Sequence, residues 1–188
     1  TSAPYSSGTS NTAVGYKALT AFTTGLQNTA IGYEAAMSLT TVEANTAIGY
    51  QSMRTLTTGG GNTALGKQTL SALDTGTYNV ALGNEALLSA DGAENNNVAI
   101  GAGAMGNANN DSTEKNIAIG RNTMVGGTGE LDRNVAIGHN AMDGTGTVAG
   151  QQNIFIGDSA GGGTWTTAAS NSNVAIGATA MSAALNGA

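Results

Sequence analysis

Apolar and polar positions along this chain recur with a long period. A five-residue unit, Asn then Thr/Val/Ile, Ala or Phe, Ile/Val/Leu and Gly, begins at Asn11, Asn28, Asn45, Asn62, Asn79, Asn97, Asn116, Asn134, Asn153 and Asn173. Successive copies lie 17, 17, 17, 17, 18, 19, 18, 19 and 20 residues apart. A weaker apolar position follows four residues after each Gly, as at Leu19, Met53, Leu70, Leu87, Met105, Met124 and Met142, with Gly161 as the exception. In the early copies a third comes three residues later, at Phe22, Leu39, Leu56 and Leu73. The remainder is Thr, Gly, Ser, Asn and scattered charge. Ten copies at near-constant spacing form an array without internal boundaries. Residues 11–188 therefore read as one repeat domain and 1–10 as a partial coil or lead-in.

The period is too short for two helices and their turns, but it suits one turn of a β-solenoid. Each motif is rich in β-branched residues and ends on Gly, as a short strand running into a turn does. The expected fold is all-β: a parallel β-solenoid or β-roll of about ten coils of 17–20 residues. Each coil would comprise an inner strand, a turn, a shorter outer strand and a variable loop. Ten coils at about 4.8 Å each would make a rod roughly 48 Å long. Charge placement agrees, since none of the fifty motif positions is charged.

Alternation within the strand sends the second and fourth motif positions one way and the third and fifth the other. Neither set is polar enough for a solvated face, so one is expected to fill the coil and the other to meet an identical neighbour. The small set is assigned to that shared axis: Ala13, Ala30, Ala47, Ala64, Ala81, Ala99, Ala118, Ala136, Phe155 and Ala175. Phe155 would then widen the axis locally. The invariant Asn suits a corner and a stacked amide ladder that fixes register. The Gly suits positive φ or close backbone approach.

Composition narrows the function. The 188 residues include 29 Gly but only 10% charged and 4% aromatic residues, against 40% hydrophobic. That is too apolar for disorder and too poor in bulky groups for one thick core. A net charge of −6 disfavours nucleic acid and anionic membranes as partners. No apolar stretch approaches the ~20 residues of a membrane span, so no membrane insertion is expected. The absence of Cys removes disulfides, thiolate zinc sites and cysteine nucleophiles.

The motifs "NTAVGY", "NTAIGY" and "NVAIG" resemble the head repeats of trimeric autotransporter adhesins, the YadA-like family. The longer form "NTAIGYxAL" followed by "TTG" resembles repeats of bacteriophage tail fibres. The resemblance covers residues 11 to 181. It implies a left-handed parallel β-roll in a homotrimer, serving as a stiff extracellular adhesive or structural segment on a virion tail fibre or cell surface. Adhesin repeats are shorter than these, and Phe155 and Gly161 depart from the pattern.

Candidate chemistry is sparse. "GNTALGKQT" (Gly61 to Thr69) nearly spells a phosphate-binding loop, but Gln68 replaces the magnesium-holding hydroxyl and Gly66 is a motif residue. Glu130 and Asp132 in "GGTGELD" offer carboxylates to a cation between coils, although a solvated loop is the expected reading. Asp111 and Glu114 are read as a polar surface loop, and Asn110–Ser112 is a chance sequon. His139 is the only histidine, and the acidic residues are scattered over the variable halves of the coils. No catalytic residue, metal ligand or cofactor is assigned, and an enzyme is not expected.

Two rows suit binding. Tyr16, Tyr33 and Tyr50 occupy one position in successive coils and form a candidate ligand-facing ladder for glycan. Threonine pairs at Thr23–Thr24, Thr40–Thr41 and Thr57–Thr58 make a short array of the kind that binds ice. The leading expectation is a non-enzymatic fibre segment whose partners are its own copies and a surface glycan or host receptor. The alternatives are a glycan- or ice-binding module and a subunit of an end-to-end stacked extracellular filament, since unprotected strand edges invite stacking.

Overall fold

The computed structural model of the chain describes residues 8–145, 147–163, 165 and 169–183. Its strands are β1 (Thr12–Val14), β2 (Thr29–Ile31), β3 (Thr46–Ile48), β4 (Thr63–Leu65), β5 (Val80–Leu82), β6 (Val98–Ile100), β7 (Ile117–Ile119), β8 (Leu131–Asp132), β9 (Val135–Ile137), β10 (Gly150–Gln151), β11 (Ile154–Ile156), β12 (Ser170–Asn171) and β13 (Val174–Ile176). No helix occurs among the described residues. All ten motif copies become strands, and these stack in chain order into one parallel sheet. Register is motif on motif: Ala30 lies between Ala13 and Ala47, and Phe155 between Ala136 and Ala175. Each coil is its own crossover, so the molecule is a parallel β-solenoid.

The opposite wall differs from expectation. A second parallel sheet exists only where the copies lengthen, in the order β12-β10-β8. Single bridges from Glu114 to Asn95 and to Asp132 carry it back to the fifth coil. In the earlier coils, single backbone bonds join the equivalent residues instead, such as Gln27 N–H to the Thr9 carbonyl at 3.1 Å and Ala44 N–H to that of Leu26 at 3.0 Å. A 17-residue coil spends its length on one strand and tight turns. Those turns use left-handed backbone at Lys17, Glu34, Gln51, Gln68 and Glu85, and again at Leu19, Ala36, Met53, Leu70 and Leu87, with φ between 48° and 60°.

The core is a column of large side chains facing a column of small ones. Met53, Leu70, Leu87, Met105, Met124 and Met142 are fully buried, as are Leu39, Leu56 and Leu73. The motif alanines face them from the sheet. Ala30, Ala47, Ala64, Ala81, Ala99, Ala118 and Ala136 have no exposed surface in the single chain, and neither does Phe155. Ala175 is 4% exposed, and Ala13, in the first coil, is the one open position of the set. The expected axis is therefore corrected: beyond Ala13, these residues fill their own coil and have almost no surface to offer a second chain. The coil is too narrow for large residues on both walls, so Leu and Met on the turn side require Ala on the strand side.

Phe155 is corrected in the same way. Its ring points inward, where Gly161 replaces the Met of other copies, and a Cβ on Gly161 would lie 2.5 Å from the ring. Trp165 packs edge-on to Phe155 at 6.1 Å and donates its indole N–H to the Gly161 carbonyl at 3.2 Å. One large residue has moved to the opposite wall, and the coil keeps its width.

Two ladders fix the register. The Asn side chains form a continuous stack from Asn11 to Asn173. At its middle, Asn97 Oδ1 accepts both the backbone N–H of Asn116 (3.1 Å) and its amide (3.0 Å). The Asn97 amide also donates to the Thr113 carbonyl at 2.9 Å, closing its own coil. Asn28, Asn45, Asn62, Asn79, Asn134 and Asn153 repeat this arrangement. The motif glycines form the second ladder. Gly101 has φ 134°, and a Cβ there would sit 2.3 Å from the Gly120 carbonyl oxygen. Positive φ and close approach are both required.

Candidate functional site

With Ala inside, alternation turns the second and fourth motif positions outward. They form a strip from Thr12 and Val14 to Val174 and Ile176, one row being Thr in four coils and then Val or Ile. Ile31, Leu65, Ile117 and Ile154 are each more than a third exposed, and Val14 and Ile176 more than half. Nine steps of about 4.8 Å and three residues of about 3.3 Å give a face roughly 43 Å by 10 Å. A contiguous uncharged strip of that size lies in the range that marks interaction surfaces on soluble proteins. The sequence reading separated the two faces and inverted their roles.

Beside the strip, the residue after each Gly lies on an exposed edge. Tyr16, Tyr33 and Tyr50 stack there with ring centroids 5.1 and 5.2 Å apart, and Lys17 Nζ lies 5.3 Å from the Tyr16 ring. The stack is exposed along its length. Lys67, Arg121, His139 and Asp158 take this position in later coils. Ion pairs run along the same edge, Arg54 with Glu34 at 3.4 Å and Lys67 with Glu85 at 3.9 Å, and further along it His139 Nδ1 lies 2.9 Å from Asp158 Oδ1. Pairs whose cation is open to solvent contribute little to stability. Glu34 also accepts the Gln51 amide at 2.9 Å, and that bond, then Arg54, holds its carboxyl below the usual range. The Glu34 charge in turn pushes the Tyr33 phenol up.

The remaining candidates resolve individually. In the near phosphate loop, Lys67 is occupied by Glu85, and the Thr69 hydroxyl donates to the Gly66 carbonyl at 2.7 Å. Glu130 and Asp132 do not converge: Glu130 accepts the Gln151 amide, whereas Asp132 is held by Arg133. Asn110 is engaged at both ends of its amide, by the Thr128 carbonyl and the Ser112 N–H. The threonine pairs face a corner, where Thr23 Oγ1 donates to the Thr40 carbonyl at 3.0 Å.

Asp111 and Glu114 part company. Glu114 pairs with Lys115, whereas Asp111 gathers with Asp91 and Glu94. Glu94, which the sequence reading did not single out, is fully buried, and burial pushes its carboxyl up to about 7. Its signal was a charged residue at a coil position that is Gly25, Gly59, Gly76 or Gly150 elsewhere; each of these gives its carbonyl to a ladder Asn, as Glu94 does.

No protein-family model, curated protein or solved structure matches this chain. Among the described residues the surface has no pocket.

Proposed function

We propose that this chain is a structural and adhesive fibre segment, a stiff solenoid rod that associates with identical copies through the outer strip as a homotrimer. The observation that carries the reading is the ten-strand run of outward Thr, Val, Ile and Leu without a charge, on a coil whose interior is already filled. Burying that face removes apolar surface from water at roughly 25 cal/mol per Å², and a flat, narrow, parallel strip is self-complementary. The repeat resemblance supports three chains and left-handed coiling, on a tail fibre or cell surface. Light scattering after size exclusion tests it: three chain masses are expected, and a monomer would remove the basis of the fibre reading.

The stacked, exposed tyrosines favour a second role within the same rod. Aromatic edges hold the apolar faces of sugar rings, and the Tyr16–Tyr50 stack offers three in line. A glycan array with the intact rod, and with Tyr33→Ala, tests this: loss of a wild-type signal in the variant supports it, and no wild-type signal removes it.

A further inference from the structure

The acidic group between the fifth and sixth coils has no counterpart among the other described residues. One carboxylate oxygen from each of Asp91, Glu94 and Asp111 lies within 4.8 Å of the other two. Two ligands on one calcium, each at about 2.4 Å, are separated by at most about 4.8 Å. Asp91 and Asp111 are exposed and Glu94 is fully buried. No ion pair among the described residues involves any of the three.

The buried residue supplies an independent observation. Glu94 Oε2 accepts the Gly92 N–H at 3.1 Å, but Oε1 has no hydrogen-bond partner. A buried oxygen of this kind is costly to leave unpaired, and more so when it is charged. The solenoid does not require the residue, because the equivalent position is Gly, Val42, Thr113, Leu131 or Ser170 in other coils. The loop is also shaped around the neighbouring carboxylate. Asp111 Oδ1 lies against Gly92, where a Cβ would come within 1.8 Å of it, and it accepts the Ala93 N–H at 3.4 Å. Asn95 holds the same loop by donating to the Ala93 carbonyl and accepting the Thr77 N–H at 2.8 Å.

We infer that Asp91, Glu94 and Asp111 form a binding site for a hard divalent cation of the calcium type, which ties the loop of the fifth coil to that of the sixth. The donors are all carboxylate oxygens, which select calcium-like ions over softer metals. Two of the three residues are open to solvent, so water can complete the six to eight ligands calcium takes. The ion neutralises three acids that otherwise repel each other and gives the buried oxygen its partner. The site lies where the copies first exceed 17 residues, so the cation orders the loop that the extra residue creates.

The test is calcium titration of the full chain by calorimetry, with thermal melts in calcium and in chelator. One calcium per chain is expected, with a melting temperature that rises in calcium. Asp91→Asn and Asp111→Asn, both at exposed positions, should each weaken binding at least tenfold while keeping the far-UV spectrum. Glu94→Gln should abolish the calcium-dependent shift and melt higher than wild type in chelator. No calcium uptake by folded wild type, or equal uptake by wild type and both Asp variants, would overturn the inference. So would a Glu94→Gln gain in chelator without any calcium effect on wild type, since the buried acid would then simply be protonated.

Discussion

Phe155 and Gly161 are a size-compensating pair: the ring occupies the space that a side chain on Gly161 would need. The φ of Gly161, 63°, is close to the 49–53° of Met105, Met124 and Met142 at the same coil position. The glycine is therefore present for room rather than for backbone geometry. Phe155→Ala should cost about 3–5 kcal/mol as a buried cavity, and Gly161→Met alone should also destabilise by overpacking. The double variant restores the arrangement of the other copies and should recover part of that loss. Urea denaturation of the four proteins measures the coupling, and additive losses would disprove the pairing.

Ile100 and Ala99 are neighbours on opposite faces of β6, and glutamate at each should fail differently. Ile100→Glu places charge on the outer strip and should yield folded, dissociated chains. Ala99→Glu buries a carboxylate inside the coil and should unfold it. Circular dichroism and light scattering on both variants separate the outcomes. A folded, dissociated Ala99→Glu protein would return the interface to the alanine face.

The Asn ladder should be costly to interrupt in its middle and less so at its beginning. Asn97→Ala removes acceptors and donors used by Asn79, Thr113 and Asn116. The buried groups left without partners cost about 1–3 kcal/mol each. Asn11→Ala should cost less, because Asn11 is only half-buried. Equal denaturation midpoints for the two variants would show that the ladder contributes little.

Gly101 and Gly177 share positive φ, 134° and 127°, but differ in surroundings. A Cβ on Gly101 meets the Gly120 carbonyl at 2.3 Å, whereas one on Gly177 meets nothing closer than 4.0 Å. Gly101→Ala should therefore lose several kcal/mol more than Gly177→Ala, which pays only about 1–2 kcal/mol of left-handed strain. Thermal melts of the two variants check the difference.

Acid should weaken the edge around Glu34. Because its folded carboxyl titrates below the ordinary 4.5, its contribution is complete above that pH and is lost as pH falls through the folded value. Gln51→Ala, which removes the largest cause of the shift, should be less stable than wild type at pH 7, and the gap should narrow at pH 3. Urea midpoints at the two pH values read the gap, and a constant gap would contradict the linkage.

Much of this architecture was legible because the period is so regular. The ten strands, their parallel stacking, the Asn ladder and the Tyr16–Tyr50 row all follow from aligning copies. The face assignment did not, because Ala and Ile are both apolar and alternation does not say which points inward. The missing information lay across the coil, at Leu70 or Met105: large residues on that wall leave room only for alanine opposite. The acidic group was hidden for another reason. Asp91, Glu94 and Asp111 sit in the variable loops, and their proximity depends on stacking two coils of unequal length.

The outer row that begins with threonine and ends with valine and isoleucine gives the rod a direction. Thr12, Thr29, Thr46 and Thr63 occupy one end, while Val80, Val98, Ile117, Val135, Ile154 and Val174 complete the row. Chains running antiparallel would set all four threonines against valine or isoleucine. Chains running the same way match like with like at every step, and a slip of one coil misplaces only the boundary pair. If such rods associate side by side, the chemistry of a single column would set their polarity, and the unequal coils beside it their fine axial alignment.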